Sequence, residues 1–179
     1  MKAKPPQCEK VYLAAHLLLG EFCLLAIGLD EAHSALIFDE VNSADLDEFK
    51  NILKLYSNEY KTRIWIYRDE LLEAELQGCQ LNPVQSCSKQ DTLAIVTNSL
   101  LTKKKIQIES TLSLKRKLTK FKGQSPSSQV LALFCAVEQL QNRLNSDRLP
   151  MRQPLVSVIP RLPVGYDRGH RAGGRPQQN

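Results

Sequence analysis

Leu46, Phe49, Leu53, Tyr56 and Tyr60 recur three and four residues apart, which predicts an amphipathic helix over residues 45–60 with one face on a core. Asp45 stands where an N-cap belongs, and Glu48 follows at capping-box spacing, with Ser43 as a second acceptor for the free amides. Acids lead this segment and Lys50 and Lys54 follow, the order a helix dipole favours. A second seam, Val130, Leu133, Val137, Leu140 and Leu144, is widened by Leu131 and Phe134 and predicts a helix within Ser125–Arg148. Ser125 and Pro126 supply its cap and first helical position.

Shorter patterns fill the interval. Cys8–Leu19 favours a helix stopped by Gly20. Glu21–Leu29 and Ser34–Val41, joined by the polar residues Asp30 to His33, outline a β-hairpin. Arg63–Arg68 alternates Ile64 and Ile66 with Trp65 and Tyr67 and reads as a strand. Asp69 then caps a short helix reaching Gln77, with Gly78 as its terminator. Gln80–Gln90, interrupted by Asn82-Pro83, reads as a loop, Thr92–Thr97 as a strand, and Ile106–Leu114 as one long strand or a bent pair.

The order is helix, hairpin, helix, strand, short helix, strand, strand, helix. Consecutive β segments without long helical crossovers predict an α+β fold with a mainly antiparallel sheet and packed helices. A single domain over residues 8–148 follows, between a flexible arm at 1–7 and a Pro-, Gly- and Arg-rich flexible tail at 149–179. Within that tail, Leu155 to Val164 forms a proline-punctuated apolar patch suited to a groove or sheet edge. This order over residues 8–148 resembles that of the roadblock and longin-type scaffold domains; the likeness implies a platform for dimerisation and for trafficking complexes.

Charge divides the chain. Residues 1–100 carry 9 Lys and Arg against 15 Asp and Glu, a net of −6, whereas residues 101–179 carry 15 against 4, a net of +11. The densest part is the polyanion-binding candidate Lys103, Lys104, Lys105, Lys115, Arg116, Lys117, Lys120 and Lys122, interrupted by the single acid Glu109. Such a run attracts phosphate backbones without regard to sequence and loses grip as salt rises. A solvated, lysine-decorated sheet edge is the plainer reading of the same residues. Lys103 and Lys104 stand ten residues before Lys115, Arg116 and Lys117, the layout of a bipartite import signal, although Ile106, Ile108, Leu112 and Leu114 make the spacer look like sheet.

Chemistry is sparse. No Gly-rich phosphate loop, nucleophile elbow, H-E-x-x-H or paired C-x-x-C occurs, so neither a catalytic site nor a cofactor or metal site is predicted. Asp39 and Glu40 close a predicted strand as nuclease carboxylates can, yet neighbours on a strand point to opposite faces and would share a metal only across a bulge. His33 falls in a turn, His16 in a predicted helix and His170 in the tail. Cys8, Cys23, Cys79, Cys87 and Cys135 are odd in number and lack metal-ligand spacing, which fits a reducing compartment. His16, Gly20 and Glu21 disqualify the apolar stretch Val11–Leu29 as a membrane span. These features predict an intracellular protein, nuclear or cytoplasmic.

Two functional readings follow. The first is a non-enzymatic adaptor or accessory subunit whose protein partner, or second copy, engages Val130, Leu133, Val137, Leu140 and Leu144. The second is an accessory protein that lays Lys103–Lys122 on nucleic-acid phosphates. With 6% aromatic residues and only Phe121 among the lysines, there is no stacking platform for single strands. The adaptor reading is the expectation carried forward.

Overall fold

The computed structural model describes residues 1–18, 20–121 and 125–145. Lys122 and the predicted tail at 149–179 lie outside these residues, as does the Leu155–Val164 patch. The described chain runs β1 (Lys10–Leu18), β2 (Glu21–Leu29), β3 (Ala35–Ser43), α1 (Leu46–Tyr60), β4 (Ile64–Tyr67), α2 (Glu70–Glu75), β5 (Leu81–Val84), α3 (Gln90–Thr102), β6 (Ile106–Ile108), α4 (Leu114–Lys120) and α5 (Ser128–Leu144).

The segment expected to open the domain as a helix is instead a strand. Val11, Leu13 and Ala15 of β1 are buried toward α1, and Ala14 is buried on the opposite face, toward α5. A strand covered on both faces reads as a continuous apolar run, which is why its sequence lacks alternation. Gly20, with φ at +78°, turns β1 into β2 in a backbone region few other residues enter without strain. The expected β2–β3 hairpin is present, with a bulge that leaves Phe38 between the paired residues Ala26–Asp39 and Ile27–Ile37.

The α1 cap forms as its sequence implies. Asp45 accepts a hydrogen bond from the Glu48 amide at 2.7 Å, while the Glu48 carboxylate takes the Ser43 hydroxyl, which in turn accepts from the Asp45 amide. This helix carries the chain back across the sheet, so that β4 lies parallel to β1, and β5 then lies parallel to β4. With β6 parallel to β3, the strand order is β5-β4-β1-β2-β3-β6, and β2 runs against the other strands. The α+β class is as expected, but the sheet is mixed rather than mainly antiparallel.

Three further expectations are corrected. Thr92–Thr97 lies inside α3, where Leu93, Thr97 and Leu100 are buried at helical spacing despite the β-branched composition. The Gln80–Gln90 loop contains β5, which tolerates Pro83 because it is an edge strand. Ile106–Leu114 is strand only to Ile108, and α4 begins at Leu114. The last helix starts two residues beyond Pro126, at Ser128.

Two apolar layers sandwich the sheet. On one side Phe49, Leu53 and Tyr56 of α1 meet Leu13, Leu24, Ala26 and Phe38. On the other, Leu133, Ala136, Val137, Leu140 and Leu144 of α5 meet Cys23, Leu25, Ile27 and Ile37. Val130 joins Phe134 and Leu93 between α5 and α3. The five proposed partner-binding residues, Val130, Leu133, Val137, Leu140 and Leu144, are therefore core: none is more than 2% exposed. Their apolar surface is consumed by the sheet and α3, which corrects their assignment as a partner face. Cys8, Cys23 and Cys135 are buried thiols, and Cys79 and Cys87 are not joined. Among the described residues no helix is long and apolar enough to cross a membrane.

Candidate functional site

Because β1, β3, β4, β5 and β6 run the same way, their carboxyl ends share one edge of the sheet. Crevices outside the carboxyl ends of such strands are where open α/β sheets bind ligands. The side chains of β1 and β4 that point toward α5 near this edge are His16 and Tyr67, their rings 6.3 Å apart in an edge-to-face arrangement. Glu138 reaches Tyr67 from α5, as the sole acid of that helix. Its carboxylate accepts from the Tyr67 hydroxyl at 3.0 Å, from the Ser86 hydroxyl at 3.2 Å, and from the Cys87 and Ser88 amides at 2.6 and 3.0 Å. Four donors converge on one carboxylate, so Glu138 ties the segment after β5 to the end of β4 and to α5.

Electrostatics sets the protonation of this group. Burial pushes the His16 imidazole down to about 4, against the opposing pull of Asp69, so the ring is neutral at pH 7. Its Nδ1 is enclosed without a hydrogen-bond partner among the described residues. Burial, reinforced by the Glu138 carboxylate, pushes the Tyr67 hydroxyl up, keeping it a donor. Burial first, then Glu138, pushes the Cys135 thiol up to about 12, which makes it an unreactive neighbour.

A second cluster stands along the same edge, where the β1–β2 turn and the end of β3 face α4 and α5. An open cleft of about 360 Å³ is lined here by residues that include Glu21, Asn42, Ser113, Lys117 and Gln129. Lys117 lies 3.9 Å from Glu21, which also accepts from Ser128 at 3.4 Å.

The predicted polyanion site divides between two ends of the molecule. Lys115, Arg116 and Lys117 ride on α4 at the carboxyl edge, the first two exposed. Lys120 ends the same helix. Lys103, Lys104 and Lys105 lie in the turn before β6, where the Lys105 carbonyl accepts from Ala35 at the start of β3, and so belong to the amino end. The ten-residue spacer is thus a strand, a turn and the start of a helix, not an extended tether. Asp39 and Glu40 point to opposite faces as expected: Asp39 takes the Tyr56 hydroxyl at 2.6 Å and the Lys2 amide at 2.8 Å, while Glu40 takes Ser113 at 2.6 Å and the Leu114 amide at 2.9 Å.

Sequence reasoning missed His16, Tyr67 and Glu138. The first was hidden by misreading β1 as a helix. A usable signal existed in Glu138, a lone carboxylate inside an apolar helix, where an acid is costly unless it has partners.

No protein-family model and no curated protein sequence matches the chain. Solved structures do resemble it. The large terminase nuclease domain of Thermus phage P74-26 superposes with a TM-score of 0.58 at 16% identity, covering 73% of this chain and 79% of that one. The large terminase nuclease of the thermophilic phage G20c, with bound zinc, gives 0.57 at 16% identity, covering 73% and 81%. The yeast mitochondrial Holliday junction resolvase Ydc2 gives 0.51 at 14% identity, covering 78% and 84%.

The G20c nuclease is seen with bound zinc. Among the described residues no cluster of three or more His, Cys, Asp or Glu could hold an ion. Both oxygens of Glu138 already accept from backbone or hydroxyl donors. The donor set of the carboxyl edge does not fit such a metal. The likeness to these nuclease and resolvase folds nevertheless corrects the expectation of a non-enzymatic adaptor and the resemblance to roadblock and longin scaffolds. The chain has the fold of the phage terminase nucleases and of a junction resolvase.

Proposed function

We propose that this domain is a nucleic-acid-processing enzyme of the nuclease class, engaging the phosphodiester backbone at the carboxyl edge of its sheet. The observation that carries the reading is a half-buried polar group, His16, Tyr67 and Glu138, at the carboxyl ends of β1 and β4 in a fold shared with nuclease and resolvase domains. Lys115 and Arg116 on α4 add exposed positive charge at the same edge. In this reading His16, neutral at pH 7, meets the substrate through Nε2 as a hydrogen-bonding group, since Nδ1 is enclosed. Glu138 takes the one Tyr67 proton and acts as a positioning residue that holds Tyr67 and the Ser86–Ser88 segment in register.

The test is cleavage of linear and four-way-branched DNA and RNA by the full chain, in chelator and in magnesium or manganese. The reading expects cleavage that persists in chelator, and a loss of about 10²-fold or more in His16→Ala with its far-UV circular dichroism unchanged. A full set of substrates left intact under every condition would overturn it.

A further inference from the structure

The sheet face toward α5 carries a second aromatic pair, nearer the amino end than His16 and Tyr67. Tyr12 of β1 and Trp65 of β4 stack with ring centroids 4.8 Å apart and planes inclined by 15°. Arg143, beyond Glu138 on α5, fixes the Tyr12 ring: its Nη1 donates to the hydroxyl at 2.6 Å, and its guanidinium carbon lies 5.6 Å from the ring centroid. Few aromatic residues occur in this chain, yet the fold brings two of them face to face with a cation behind them.

The stack closes one side of Trp65 and leaves the other. Tyr12 covers one face of the indole, and the apolar layer under α5 packs against the side chain. On the far side β5 sets Asn82 in register with Trp65, and in-register neighbours share a sheet face. Asn82 is short and exposed, so β5 offers neither a ring nor an aliphatic chain to cover the indole, and Trp65 is only partly buried. The next pair in this register, Tyr67 and Val84, differs, because the Ser86–Ser88 segment is drawn onto Glu138 beside Tyr67. A ring backed by a second ring, with its outer side uncovered, is a platform for a further flat π-system. The Asn82 carboxamide at its rim carries both donors and an acceptor, which suits the edge of any base.

We infer that the outer face of Trp65 seats one unstacked base of a single-stranded nucleic acid, with Asn82 at the base edge and with Tyr12 and Arg143 holding the platform from behind. Aromatic side chains bind single strands in this way irrespective of sequence, since every base has a π-face. Trp65 lies two residues before Tyr67 on the same face of β4, roughly 6.6 Å along the strand, so a chain seated there runs on to the His16–Tyr67 group. The inference rests on the proposed action on nucleic acid and assigns to it a substrate that is unpaired beside the site; a continuous duplex keeps its bases in the stack and cannot fill the seat.

Trp65 is the sole tryptophan of the chain, so its fluorescence reports on the seat directly. The full chain is titrated at low salt with ten-nucleotide oligo-dT, an abasic strand of the same length and a duplex, following Trp65 emission and, separately, the anisotropy of a dye on the nucleic acid. Oligo-dT is expected to quench Trp65 and to bind about 10-fold more tightly than the abasic strand, while the abasic strand and the duplex bind without quenching. Trp65→Leu removes the platform, and Asn82→Leu, at an exposed position, covers it from β5. Each variant, with its far-UV circular dichroism unchanged, is expected to hold oligo-dT no more tightly than the abasic strand. Equal binding of oligo-dT and abasic strands by the wild type, or an oligo-dT advantage that survives in folded Asn82→Leu, would overturn the base seat while leaving the nucleic-acid reading standing. Trp65 emission that changes with protein concentration alone would place a second copy on this face and also overturn it. Failure to bind any strand at low salt would overturn both.

Discussion

His16 sits in an environment at odds with carrying a charge. Burial lowers its pKa from the ordinary 6.5 to about 4. Unfolding exposes the ring, so between pH 6.5 and 4 the unfolded chain binds the proton that the folded chain refuses. Stability contributed by the neutral ring is complete above pH 6.5, is lost as pH falls toward 4, and changes no further below. The shift corresponds to roughly 3 kcal/mol at most. Urea unfolding of wild type and His16→Gln at a series of pH values checks this: the wild type should lose stability over that window, and the variant should show a flatter profile. Glu138 is its counterpart, a half-buried side chain whose carboxylate two amides and two hydroxyls answer. Glu138 was legible as a lone acid in an apolar helix, whereas His16, set in an apolar run, acquires meaning only once β1 and α5 face each other.

Elements that keep one face in water were legible, and those that lose both faces were not. The α1 helix shows its 3-4 spacing because its outer face is solvated, and Leu55 there is 55% exposed. β1, sandwiched between α1 and α5, has no polar face to betray a period of two, so its length suggested a helix. α3 carried the right spacing, but Thr97 occupies one core position and the run Leu93-Ala94-Ile95-Val96-Thr97 has strand-like composition. For α5 the periodicity was correct and the inference from it was not: the sheet, rather than a partner, covers its apolar stripe. Leu133→Ala should accordingly cost about 2–5 kcal/mol by the cavity it leaves. Chemical denaturation of the variant measures this directly, and a loss below 1 kcal/mol would mean that α5 packs more loosely than its burial implies.

At the scale of the molecule, the crossover helix α1 decides the outcome. By returning β4 parallel to β1, it gathers the carboxyl ends of five strands on one edge, and that edge receives His16, Tyr67, Glu138, the cleft lined by Glu21 and Lys117, and the α4 cations together. The class of fold was legible from the order of elements. The parallel pairing was not, because it depends on which strand α1 returns to. The same topology divides one basic run between two ends, a division no composition could show.

That division provides the most direct test of the account. Lys115, Arg116 and Lys117 changed to Glu, and separately Lys103, Lys104 and Lys105 changed to Glu, alter charge equally at opposite ends of the sheet. Binding of each folded variant to duplex and single-stranded DNA is measured across a salt series. The account predicts that the α4 variant loses most affinity and flattens the salt slope by about 2 to 3 units, while the Lys103–Lys105 variant stays within about threefold of wild type. Equal losses from both variants, or a larger loss from Lys103–Lys105, would contradict engagement of nucleic acid at the carboxyl edge.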